Sequence, residues 1–173
     1  MSSGLAARVP AVNPLYEFSL SVKAIQRELD RQTNQVMDSL GLTAAQADAL
    51  YVLGKAAPLS LKELGELLIA EAGHPSRLVD RLVHAGLIER KAAEDDRRRI
   101  VLSLTPKGRK LEQKILAARE GIFQLARELL GDRDLGPTVE VLRELVELTA
   151  YGELLARRRE LEDQTAGERS GRA

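Results

Sequence analysis

The residues in this chain best suited to chemistry are charged. Glu94-Asp95-Asp96 runs directly into Arg97-Arg98-Arg99. A carboxylate trio could hold a metal or serve as acid and base, but three adjacent guanidiniums neutralise it locally. An arginine triplet is more often a solvated loop, yet this one borders an alternating run, Ile100-Val-Leu-Ser-Leu104. An exposed basic tip on a two-stranded ribbon is narrow enough to enter a groove of negative potential. Other reactive side chains are scarce. The chain has no Cys and only two His, His74 and His84. Thiolate metal sites and thiol redox sensing are therefore excluded, and two histidines ten residues apart without Cys make a poor metal site. There is no HExxH, no glycine-rich phosphate loop, and no Ser with a persuasive His partner. Neither catalysis nor a cofactor is expected.

The net charge of zero conceals an asymmetry. Between Arg77 and Lys110 stand ten Arg and Lys against five Asp and Glu, a net of +5. The rest of the neutral chain is therefore at −5, and positive potential is focused on one region.

The elements that must position these charges follow from periodicity and caps. Residues 1–13 are small, polar and proline-punctuated, and read as a loose arm. Leu15, Phe18, Val22, Ile25, Leu29, Val36 and Leu40 recur at helical spacing, and Gly41 stops that helix. Thr43 to Gln46 and Ser60 to Glu63 each form a capping-box pattern that opens a helix. Small residues at 70–73 make a turn, and Pro75 suits the first turn of a fourth helix that buries Leu78, Val79, Leu82 and Val83. Two short strands, 87–91 and 99–104, flank the charged loop. Thr105-Pro106 opens a long helix to Gly131, and a last helix is expected from about residue 137 to 161. Residues 164–173 lack apolar anchors and read as a loose tail.

The predicted fold is mainly α with a small β-hairpin wing. A short helix, a turn and a helix make a helix-turn-helix motif, and the hairpin directly after it is a wing. With 3% aromatic residues, the core must be Leu, Val, Ile and Ala. No apolar run suggests a signal peptide or a membrane span, so a cytoplasmic protein is expected.

The run LKELGELL…SRLVDRLVHAGLIERKAAEDDRRRIVLSLTPKGR resembles the multiple-antibiotic-resistance regulator (MarR) family of bacterial transcription factors, and the resemblance extends over residues 15–155. The family's D-x-R wing motif falls on Asp96 and Arg98, and its LT-x-x-G on Leu104, Thr105 and Gly108. Where the family usually carries small residues before Arg77, this chain has Gly73-His74-Pro75-Ser76, and the small residue common after the wing arginine is Arg99. The resemblance implies a homodimeric regulator of double-stranded DNA, a repressor released by a small molecule. It implies that Arg98 enters the minor groove while Asp96 braces the wing.

Candidate DNA-binding residues are thus Ser76, Arg77 and Arg81 on the recognition helix, His74 before it, Ser60 and Lys62 on the preceding helix, and Arg97, Arg98 and Arg99 on the wing. A salt bridge to Asp80 is the alternative for Arg77. Residues 14–42 and 106–162 are expected to form a helical dimerisation region, 43–105 the winged helix-turn-helix domain, and 163–173 a flexible tail. The family's pocket lies between those two regions, where Tyr16, Ser19, Gln26 and Tyr51 are candidate effector-binding residues. An architectural or protein-interaction module on the same scaffold is the alternative function. A metal sensor of another winged-helix family is disfavoured by the missing Cys.

Overall fold

The computed structural model describes residues 13–69 and 75–170, with side chains as far as residue 164. The order is α1 (Pro14–Ser39), α2 (Ala44–Ala56), α3 (Leu61–Leu67), α4 (Pro75–His84), β1 (Ile88–Ala92), β2 (Ile100–Leu104), α5 (Pro106–Leu130), α6 (Gly136–Glu147) and α7 (Gly152–Ser170). Both expected capping boxes form: Thr43 with Gln46 at the start of α2, and Ser60 with Glu63 at the start of α3. Each satisfies two backbone N–H groups that the first helical turn leaves without partners.

One continuous core joins α2, α3, α4 and the hairpin, built on Leu50, Leu53, Leu64, Leu78, Leu82, Ile88 and Leu102, with Met37 of α1 and Ile115 of α5 closing it. The strands pair antiparallel with Ile88 opposite Leu104 and Ala92 opposite Ile100. Leu59 adds a single bridge to β2, exchanging two backbone hydrogen bonds with Leu102 at 3.2 and 2.7 Å. These bonds lock the base of the wing to the segment that enters α3.

The hinge between the hairpin and α5 is as tightly made. The Thr105 hydroxyl donates to the Gly86 carbonyl at 2.7 Å and accepts the Gly108 N–H at 3.0 Å. Gly108 passes so close to β1 that a Cβ there would sit 1.9 Å from the Leu87 carbonyl oxygen. Only glycine fits. Gly86, at φ +67°, makes the left-handed turn between α4 and β1.

Two expectations need correction. The single last helix is two, because the Thr149 hydroxyl donates to the Val146 carbonyl at 2.7 Å and accepts the Tyr151 N–H at 3.1 Å. A side chain that competes for backbone groups in this way breaks the helical ladder. The stretch read as a loose tail is helical as far as Ser170. Moreover, α7 lies over α2 and α3 of its own chain: Arg157 reaches Glu66, Arg158 reaches Asp48, and Glu162 accepts a hydrogen bond from Tyr51. No helix among the described residues is long and apolar enough to cross a membrane.

Candidate nucleic-acid interface

The first turn of α4 and the wing tip carry the predicted cations. Ser76, Arg77 and Arg81 are exposed. Opposite them α4 buries Leu78, Val79 and Leu82, so the polar face is turned outward by the packing of the apolar one. Asp80 does not take Arg77. Its carboxylate receives Arg90 of β1 at 2.6 Å, which ties the recognition helix to the wing. The Arg77 side chain thus has no ion-pair partner among the described residues. Arg81 Nε donates to the Arg77 carbonyl at 3.3 Å. His74 lies outside the described residues.

The arginine triplet splits. Asp96 Oδ1 accepts the Arg98 backbone N–H at 2.9 Å, and its carbonyl accepts the Arg99 N–H at 2.9 Å. The chain thereby turns tightly at the tip. Arg99 folds back, its Nη2 donating to both Asp95 oxygens at 2.8 and 2.9 Å. That hydrogen bond holds the Asp95 carboxyl below its usual range and raises the Arg99 guanidinium above its own. Arg97 and Arg98, among the described residues, have side chains with no such partner and stand in solvent.

On α3, the Ser60 oxygen accepts the Glu63 N–H at 3.2 Å while Glu63 accepts the Ser60 N–H at 2.7 Å. Those bonds with Ser60 hold the Glu63 carboxyl below the usual carboxylate range, aided by the charges of Arg99 and Lys62. Lys62 is almost fully exposed, with Glu66 at 3.8 Å. Lys107, not singled out by the sequence, donates to the Ala85 carbonyl at 2.8 Å and satisfies the end of α4.

A cavity of about 370 Å³ lies between α1, α2, α5 and α7. Its walls are apolar at Leu29, Met37, Ile115 and Phe123, and charged at Asp30, Asp48, Arg119 and Arg158. Of the four residues proposed for an effector, Tyr16, Ser19 and Gln26 lie on the exposed face of α1 and do not line it, and the Ser19 hydroxyl donates to the Tyr16 carbonyl. Tyr51 stands directly behind the wall, with the Arg119 guanidinium 4.0 Å and the Arg158 guanidinium 5.7 Å from its ring centroid. Burial, with the adjoining Glu162 carboxylate, pushes the Tyr51 hydroxyl up to about 12. Burial alone would raise Glu162, yet its hydrogen bonds with Tyr51 and Lys55 outweigh that and leave it below its usual value. Sequence reasoning missed Arg119 and Arg158. The one available signal was a second arginine triplet, 157–159. Among the described residues no group of three or more His, Cys, Asp or Glu is placed to hold a metal ion.

Residues 42–108 match the family model described as a winged helix DNA-binding domain. The organic hydroperoxide resistance transcriptional regulator of Bacillus subtilis (strain 168) is 32% identical over 105 residues, covering 61% of this chain and 71% of the relative. The multiple antibiotic resistance protein MarR of Escherichia coli (strain K12) is 30% identical over 96 residues, covering 56% of this chain and 67% of the relative. The chain belongs to the MarR family. Its fold agrees with the crystal structure of apo wild-type MarR from E. coli at a TM-score of 0.56 and 26% identity, over 79% of this chain and 96% of that one. Members of this family are DNA-binding transcriptional regulators, not enzymes.

Proposed function

We propose that this MarR-family chain is a cytoplasmic repressor that binds a palindromic operator as a homodimer and leaves it when a small-molecule effector binds. The observation that carries the DNA contact is the set of uncommitted cations: Arg77 at the start of α4, and Arg97 and Arg98 at the wing tip, all exposed and unpaired among the described residues. In this reading the first turn of α4 enters the major groove, where Arg77 pairs with a guanine edge and Ser76 bonds base or phosphate. Arg98 lies in the flanking minor groove, on a turn that Asp96 holds. Arg97, Arg81, Lys62 and Arg99 add phosphate contacts, Arg99 only after leaving Asp95. His74 is a further candidate contact, and Ser60 acts first as a cap.

Dimerisation is supported by side chains that the single chain leaves uncovered. Leu15, Ile25 and Leu29 of α1, Leu129 of α5, and Val141 and Leu145 of α6 are all exposed. Apolar seams of that length mark partner helices, and two-fold pairing makes the two α4 helices symmetric. The half-sites should then lie about 10 base pairs apart, roughly 34 Å. The apolar walls of the α1–α2–α5–α7 cavity, with Arg119 and Arg158 among its charged lining beside Asp30 and Asp48, suit a small organic anion that takes the place of Asp48 as effector.

The test is selection of bound DNA from the chain's own genome, followed by footprinting and sedimentation. A symmetric footprint under a dimer, with affinity falling steeply as salt rises, is expected. A monomer protecting one unsymmetrical half-site would overturn the dimer. Binding that does not distinguish selected DNA from competitor would overturn the repressor.

A further inference from the structure

Two consecutive residues of α7 grip two different parts of the winged domain. Arg158 donates to Asp48 of α2, and both line the cavity, their side chains only 14% and 22% exposed. Arg157 donates to Glu66 Oε2 of α3 at 2.7 Å. Successive side chains on a helix point about 100° apart, so one turn of α7 reaches both the cavity wall and the first helix of the helix-turn-helix motif. Further along, Leu161 packs on the core, and Glu162 receives the Tyr51 hydroxyl and lies 3.3 Å from Lys55 Nζ. The helix is thus pinned at Leu161 and Glu162, one turn further on, and held at this turn by ion pairs.

We propose that α7 is a strap that carries the state of the cavity to α3. This rests on reading the cavity as the effector site. An organic anion that takes up Arg158 must displace Asp48, and the two negative groups then repel. The helix pivots about its anchor at Leu161 and Glu162, so Arg157 is drawn from Glu66 and α3 loses a contact that fixes it against the rest of the domain. α3 carries Ser60 and Lys62 at its start and packs against the recognition helix, Gly65 lying close beneath Pro75 of α4. A change at the cavity therefore reaches the DNA-contacting face without crossing the core.

Hydrogen exchange on the full chain, free of DNA, tests the strap. Arg158 pairs with Asp48 of α2, yet Arg158→Gln should speed exchange of the α3 amides at 64–67 about tenfold, a usual size for coupling between sites. Arg158→Lys, which keeps the charge, should stay near wild type. Faster exchange confined to α2 and α7 would overturn the strap. Should Arg158→Gln loosen the whole core, Glu66→Gln replaces it, since that exposed pair is not needed for folding. By reciprocity it should tighten binding of decanoate, with decanol as the neutral control, several-fold. Unchanged decanoate affinity in Glu66→Gln would overturn the strap. A wild-type chain whose melting neither decanoate nor benzoate alters would instead remove the effector reading, and the strap would then be judged by exchange in Arg157→Gln: α3 amides unchanged there would overturn it.

Discussion

The chain contains two arginine triplets, and they behave in opposite ways. Residues 97–99 stand on a hairpin tip with two of three guanidiniums facing solvent, while residues 157–159 stand on a helix with two of three held by acids on α2 and α3. The difference is not in the arginines. At the wing, the short turn made by Asp96 offers carboxylates within reach of one side chain only. On α7, helical geometry presents Arg157 and Arg158 to different packed neighbours. An arginine run is therefore left open to a ligand where the backbone withholds its partners, and becomes a structural clamp where the fold supplies them.

Five measurements would break or sharpen that contrast, in falling order of effect. Arg158→Ala removes one partner of a largely buried pair and leaves Asp48 uncompensated. It should lower unfolding free energy by about 2–3 kcal/mol, somewhat less than a fully buried pair would. Chemical denaturation reads this, and an unchanged midpoint would deny the clamp. Arg98→Ala should leave melting unaltered and weaken operator binding by about 1–3 kcal/mol. Wild-type affinity from that variant would remove the wing from the mechanism. Arg99→Ala should weaken binding less than Arg98→Ala, because Arg99 must first be taken from Asp95. An equal loss would mean that the pairing at the tip does not survive on DNA.

The pH dependence of α7 docking comes fourth in size. Tyr51 titrates higher in the folded chain than the ordinary value of about 10, so the folded state holds its proton more tightly. The stability this contributes is complete below about pH 10 and is lost as pH rises towards about 12. Glu162 works in the other direction. Its folded value is depressed, so its contribution is present above the ordinary glutamate range and fades as pH falls through the lower folded value. Tyr51→Phe should abolish the alkaline part of the transition and weaken the acid part, because it also removes a hydrogen bond that holds Glu162 low, as read by exchange in α7. The smallest effect is expected from peroxide. The Bacillus relative is named for hydroperoxide resistance, but this chain has no Cys, so no thiol can be oxidised. Peroxide release of DNA that a reductant reverses would contradict this.

Much of the molecule was written locally. Thr43, Ser60 and Thr105 each cap a helix through residues three positions away, and each did so as the sequence predicted. The alternation of Ile100, Leu102 and Leu104, with charges between the strands, likewise marks the wing in the sequence itself. Signals of this kind need only a few neighbouring residues, and their geometry is nearly the same in any protein. The break at Thr149 was also local, but threonine is common inside helices, and nothing in its neighbours said which way its hydroxyl would turn. What the sequence could not determine was which charges would meet. Arg157 finds Glu66, Arg158 finds Asp48 and Tyr51 finds Glu162 across separations of 91, 110 and 111 residues. The Arg158–Asp48 pair forms part of the cavity's charged wall, and all three pairings fasten α7. They depend on how α7 turns back after the break, and only packing of the whole chain decides that.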